Sequence, residues 1–274
     1  MKRWLYFSVV LSLLLFTACG HSKEDKEKAE EPVVTSEEFQ QIYTNTKDYK
    51  GRRVEFYGKV FTEPSRDKNG TYLQVFILDG GNDGNTLVSI DDPNLEVSID
   101  DIVRVTGVIG DEVEGENLLG VTMTMPGVAA TQVEKVDYAT AFAPSMKTVE
   151  LNQELNQNGY KMTLERVEFA KSETRAYLKI ENESSTNIQF YPYNSMVQQG
   201  NKQYDYEENW EAQYEQISDD ILPGVVSEGV VTFPAIDLNG GDVRFVFEGL
   251  SDDYNVEFET FIFEVKKVQR TLES

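Results

Sequence analysis

Short runs of alternating apolar and polar residues, bounded by Gly, Asn, Asp and Pro, recur from Arg53 to Val265 of this 274-residue chain. That period of two puts successive side chains on opposite faces, which commits the chain to β-strands half-buried in small sheets. In the first half the runs are Arg53–Phe61, Tyr72–Leu78, Thr86–Ile90, Asp101–Ile109 and Leu118–Met123. The first places Val54, Phe56, Gly58 and Val60 on one side. In the second half they are Tyr160–Phe169, Arg175–Asn182, Ile188–Tyr191, Val225–Phe233, Val243–Glu248 and Phe258–Val265. The expected fold class is all-β.

The apolar fraction, 40%, suffices for a core. The charge is lopsided: 25 Lys and Arg against 48 Asp and Glu, a formal net charge of −23. A chain whose main task is holding nucleic acid needs the opposite sign. One Cys and one His exclude a disulfide scaffold and a Cys/His zinc cluster. No metal site and no cofactor are expected.

Ahead of the strands stand Lys2 and Arg3, then an apolar run from Trp4 to Phe16. As a helix that run spans about 20 Å, short of the ~30 Å hydrocarbon core, and suits the h-region of a secretory signal. Thr17-Ala18-Cys19-Gly20 follows. This step resembles the lipobox of bacterial lipoproteins, with Phe16 where the family prefers Leu. The resemblance implies a signal peptide over 1–18, diacylglyceryl transfer to the Cys19 sulfur, cleavage before Cys19, and further acylation of the new amino group. Two or three acyl chains make a stable anchor, each buried CH₂ contributing ~0.8 kcal/mol. The membrane, reached through Cys19, is therefore an expected partner, with the folded mass on the extracytoplasmic face of the cell membrane. Residues 19–34 carry mixed charge and almost nothing apolar, and read as a tether. The sole histidine, His21, lies in it, where no orienting partner can be fixed around it.

Residues 35–136 read as a first unit. Thr35 and Glu38 form a capping-box pair opening a short helix to Thr46, with Phe39, Ile42 and Tyr43 on one face. Gly51–Val60 and the D-x-V-x-V-x-G pattern of Asp101–Gly107 resemble the tRNA-anticodon-like OB-fold that recurs in bacterial lipoproteins. The resemblance implies a five-stranded barrel, a fold whose face takes single-stranded nucleic acid or oligosaccharide in other proteins. Arg52, Arg53, Lys59, Arg66 and Lys68 do gather near the first hairpin, with Tyr57, Phe61 and Tyr72 available for stacking. Residues 50–136 nevertheless hold eight Lys and Arg against fifteen Asp and Glu. No nucleic acid is expected. The loop Asp79–Asn85 fails as an EF-hand, since Gly81 and Ile90 occupy the third and twelfth positions where oxygen ligands are needed.

Residues 137–158 lack steady periodicity and read as a linker, and 159–270 as a second unit. Tyr177–Ser185, Gln199–Tyr204 and Ile221–Phe233, with its Pro223-Gly224 turn, resemble the immunoglobulin-like, telokin-like domain of unknown function found in Gram-positive lipoproteins. That resemblance implies a two-sheet sandwich and no site. Phe190, Tyr191, Tyr193, Tyr204, Tyr206, Trp210 and Tyr214 crowd one stretch, and Trp210, Tyr214 and Ile217 fall at helical spacing within Glu207–Ser218. Two readings stay open: an aromatic plug for one end of the sandwich, or a binding surface of Tyr191, Tyr193, Tyr206 and Trp210.

With no histidine beyond His21, Ser-His-Asp and Cys-His catalysis are excluded, and no phosphate-cradling glycine loop is present. The expectation is a binding or scaffold lipoprotein, not an enzyme, whose partner is a protein or a cell-wall polymer. The alternatives are a carboxylate-dependent hydrolase of wall glycan and a lipoprotein that senses a cation or solute.

Overall fold

The computed structural model describes residues 33–77, 84–116 and 122–266. The signal peptide expected over 1–18, Cys19, His21 and the expected tether as far as residue 32 lie outside these residues, as do loop positions 79–83 and residues 118–121 of the expected fifth strand.

The described chain is all-β apart from three short α-helices and a 3-10 turn at Pro192–Asn194. The Thr35 hydroxyl accepts from the Glu38 N–H, and the Glu38 carboxylate accepts from the Thr35 N–H at 3.0 Å, so the capping box starts α1 (Ser36–Ile42). The chain then re-enters helix as α2 (Thr46–Tyr49), so the single helix expected over 35–46 is two. Six strands follow: β1 (Arg53–Val60), β2 (Ser65–Asp67), β3 (Gly70–Ile77), β4 (Gly84–Ile90), β5 (Ile102–Glu116) and β6 (Thr122–Val136). Their order is β1-β5-β6-β4-β3-β2, and β1 also pairs with β3 at Lys59–Phe76 and Val60–Val75, which closes the ring. The β4–β6 pairing is parallel. With β2 as a short arm in the β1–β3 connection, this is the OB topology. Val54, Phe56, Gly58 and Val60 point inward as the alternation predicts, beside Leu73, Val75, Val88, Val103 and Val105, and Phe39 and Ile42 of α1 cover them.

Closure depends on Gly58. A Cβ there would lie 2.5 Å from Val75 Cγ1 and 2.7 Å from the Phe76 carbonyl oxygen, so β1 can bend from β5 onto β3 only with hydrogen in that place.

After α3 (Tyr138–Phe142) come β7 (Ser145–Gln157), β8 (Tyr160–Ala170), β9 (Glu173–Asn182), β10 (Ile188–Phe190), β11 (Met196–Gln199), β12 (Lys202–Asp205), β13 (Asp220–Ile221), β14 (Val226–Pro234), β15 (Val243–Phe247), β16 (Gly249–Ser251) and β17 (Phe261–Val265). Antiparallel sheets β14-β9-β8-β7, β12-β11-β15-β17 and β13-β10-β16 enclose one core. Leu164, Leu178 and Phe233 meet Phe245, Phe247 and Phe263 there, in a sandwich-like arrangement. The Asn182 side chain staples the β9 end by donating to the Thr186 and Ile221 carbonyls at 2.8 and 2.7 Å.

Two expectations are corrected. The segment 137–158 is not a linker throughout: α3 occupies its start and β7 pairs with β8 along thirteen residues. A register shift between Glu150 and Gln153, with Asn152 at φ +49°, breaks the alternation of β7 and hides its period. The fifth barrel strand runs from Thr122 to Val136, and only its first two residues fall within the run expected over 118–123. Among the described residues, no helix is long and apolar enough to cross a membrane.

Candidate functional site

Where the barrel meets the sandwich, a cleft of about 560 Å³ opens. Phe39 and Gln40 of α1, Glu55, Phe56 and Tyr57 of β1, and Ile77 of β3 form the barrel wall. Tyr138, Ala141 and Phe142 of α3, with Ser172 and Glu211, form the other. Each wall follows from local sequence. On β1 the inward period buries Phe56 and turns Glu55 and Tyr57 outward. On α3 the Asp137 carboxylate accepts from the Thr140 N–H at 2.6 Å, an N-cap. The helix so started brings Tyr138 and Phe142, four apart, into ring contact at 5.3 Å. Cavities of this size with aromatic walls at the meeting of two folded units suit small-molecule or side-chain binding.

A buried charge cluster ties the α3 wall of the cleft to the sandwich. Arg175 on β9 is 1% exposed. Its Nε and Nη2 donate to Glu168 at 3.0 and 2.8 Å, and Nη1 donates to Glu173 at 2.6 Å and to the Ala143 carbonyl at 2.9 Å. The last bond ties α3 to the sandwich. The Tyr214 hydroxyl donates to Glu173, Asn209 Nδ2 donates to Glu173 at 2.7 Å, and Tyr138 meets the Tyr214 ring edge-on at 6.3 Å. Arg166 donates to Glu168 and lies 3.4 Å over the Tyr177 ring. Burial works against ionisation of Glu168, but hydrogen bonds from Arg175, Arg166 and Tyr177 outweigh it and hold the carboxyl below its ordinary value. Burial and the Glu173 carboxylate push the Tyr214 hydroxyl up. Both acids are therefore engaged in the joint, and the arrangement fits a clamp, not an acid–base pair.

Of the residues nominated from sequence, Cys19 lies outside the described residues. Tyr191 and Tyr193 stack at 5.4 Å with an interplanar angle of 20°, Tyr193 being 67% exposed. Trp210 is 79% exposed. Tyr206 packs half-buried against the sandwich core, and its N–H donates to the Ser195 carbonyl. The group therefore divides between core and surface.

The helix expected over 207–218 is absent: the segment is coil and turn, lying along β14. The Glu207 N–H donates to the Thr232 carbonyl, the Val230 N–H to the Glu215 carbonyl, and the Ser218 N–H to Ser227 Oγ. Gly229 permits the approach, since a Cβ there would sit 2.6 Å from the Ile217 nitrogen. Trp210, Tyr214 and Ile217 consequently point to solvent, clamp and core. Phe39, Phe56 and Tyr57 are legible in the sequence as members of α1 and β1, but the Tyr138/Phe142 spacing behind Asp137 is the only local signal of the facing wall, and nothing in the sequence joins the two walls.

Arg52, Lys59 and Arg66, three of the five cations near the first hairpin, are engaged within the barrel. Arg52 makes a bidentate pair with Glu38 at 2.9 and 3.0 Å, Lys59 meets Asp100 at 2.8 Å, and Arg66 donates to the Pro64, Leu95 and Val97 carbonyls. Among the described residues no group of His, Cys, Asp and Glu side chains is placed to hold a metal ion.

No protein-family model matches the chain, and no curated protein matches it. Among solved structures, the mitochondrial single-stranded DNA binding protein Rim1 of S. cerevisiae is similar over 31% of this chain and 95% of its own, at 11% identity and a TM-score of 0.25. A functionally unknown protein from Listeria monocytogenes EGD-e is similar over 46% of this chain and 88% of its own, at 8% identity and a TM-score of 0.36. Likenesses this slight bear on neither activity nor partner.

Proposed function

We propose that this chain is an exported, lipid-anchored binding protein of the bacterial cell envelope that holds its ligand in the cleft between barrel and sandwich. The cleft carries the reading: both halves build it, and the Arg175 cluster, centred on a side chain 1% exposed, ties α3 in one wall to the sandwich. The lipobox-like step at Cys19 supports the anchor, and the telokin-like stretches support an immunoglobulin-like second domain. Binding is favoured over turnover because Glu55 in the cleft wall is engaged by Arg104, and Glu168 and Glu173 behind it by Arg175. Engagement of Arg52, Lys59 and Arg66 within the barrel supports a ligand other than nucleic acid.

Two measurements test the proposal. Mass spectrometry of the mature amino terminus should find glycerolipid on Cys19, and an unmodified thiol or an intact leader would remove the anchor. Chemical-shift mapping with cell-wall fragments (glycan oligomers and stem peptides) should move the signals of Tyr57, Tyr138 and Phe142. Shifts confined to other surfaces would remove the cleft.

A further inference from the structure

We propose that the cleft selects an organic cation, an alkylammonium or guanidinium group entering between Tyr57, Tyr138 and Phe142. The inference rests on the cleft being the binding site and names the chemistry of what enters it. Its walls offer aromatic rings, whose faces are negative and attract a cation within about 6 Å of the centroid. Its charged lining groups are Glu55 and Glu211, and among the described residues no Lys, Arg or His lines it. Lys171 is adjacent in sequence to Ser172 but is not among the lining residues. Glu55 accepts from Arg104 at 2.8 Å, yet Arg104 also faces Glu134 at 3.6 Å, so that trio keeps a net charge of −1. The cations flanking the cleft are held elsewhere: Arg52 by Glu38, and Arg175 by Glu168 and Glu173.

An anion would enter against these carboxylates. An apolar ligand would strip water from Glu55 and Glu211 without replacing it. A cation satisfies rings and carboxylates together, and a concave site lined by one sign concentrates the opposite one. The cationic group belongs either to a free small amine or to a Lys or Arg side chain of a partner.

The test uses the intact lipidated protein in detergent micelles. Trp210 is the only tryptophan beyond Trp4 and precedes Glu211, so its emission, with the melting temperature, reads binding. Choline is compared with its neutral isostere 3,3-dimethylbutan-1-ol, and acetyl-lysine amide with acetyl-norleucine amide. In at least one pair the cation should bind about tenfold tighter than its neutral partner. The pair that responds identifies the source: choline a free amine, lysine a partner side chain. Glu211→Gln, at an exposed position, should leave the melting temperature unchanged and erase several-fold of that preference. Tyr138→Leu should weaken both members of the responding pair.

Equal binding of cation and isostere, or a preference that survives Glu211→Gln, overturns the inference. So does failure of both cations to bind at millimolar concentration. In each of these cases, shifts of Tyr57 and Tyr138 with wall fragments would keep the cleft itself as the binding site.

Discussion

Arg175 shows what a single side chain can decide. A guanidinium has five N–H donors in a fixed fork, and here they reach two carboxylates and the α3 carbonyl of Ala143. Replacing Arg175 by Met leaves Glu173 without a counter-charge and Glu168 with Arg166 alone. The expected cost is about 3–5 kcal/mol, read as a lower urea midpoint at unchanged slope. A loss below about 1 kcal/mol would mean that water replaces the clamp.

Glu38 offers a pH test at the same scale. Hydrogen bonds from Arg52, then the Thr35 N–H, lower its carboxyl from 4.5 to about 2. Because the folded value is the lower one, its contribution to stability is complete above pH 4.5 and disappears as pH falls through about 2. A carboxyl-detected NMR titration should place the midpoint near 2 in the native protein and move it toward 4.5 in Arg52→Gln.

Among elements, the strands with clean alternation were legible from sequence and those under long-range control were not. β1 follows its period of two residue by residue, and β8 follows it as far as Leu164, where a register shift against β9 leaves Glu165 and Arg166 in succession on the half-exposed side. β5 continues past Ile109 through Gly110, Asp111 and Glu112, poor strand formers, because it pairs with β6 as far as Glu116. β7 lost its signal to two register shifts, and the expected 207–218 helix lost to hydrogen bonds with β14. Gly58→Ala tests the barrel closure that local reading could not supply. The new methyl meets Val75 and a backbone carbonyl, and about 1–3 kcal/mol of stability should be lost by denaturant titration. Native stability in that variant would show that β1 can leave β3 without consequence.

For the molecule as a whole, the charge of −23 is a continuous repulsion that the surface ion pairs do not cancel. Raising salt from about 10 to 200 mM shortens the Debye length from ~30 Å to below ~8 Å. The melting temperature should therefore rise across that range. A fall would mean that surface ion pairs such as Lys50–Asp111, at 2.5 Å, outweigh the repulsion. The lining of the cleft, drawn from α1, β1, β3, α3, Ser172 and Glu211, is a property of this scale alone.

Sequence by itself determined the all-β class, the capping box of α1, the inward face of β1 and the acidic surface, because period, cap spacing and charge act over a few residues or over none. It also carries the Cys19 step, which is a matter of order along the chain. Tertiary structure decided where β5, β6 and β7 end, how Trp210, Tyr214 and Ile217 are parted, and which rings face one another across the cleft. Those outcomes depend on contacts between residues as distant as Tyr57 and Tyr138, and only the closed barrel docked on the sandwich brings such residues together.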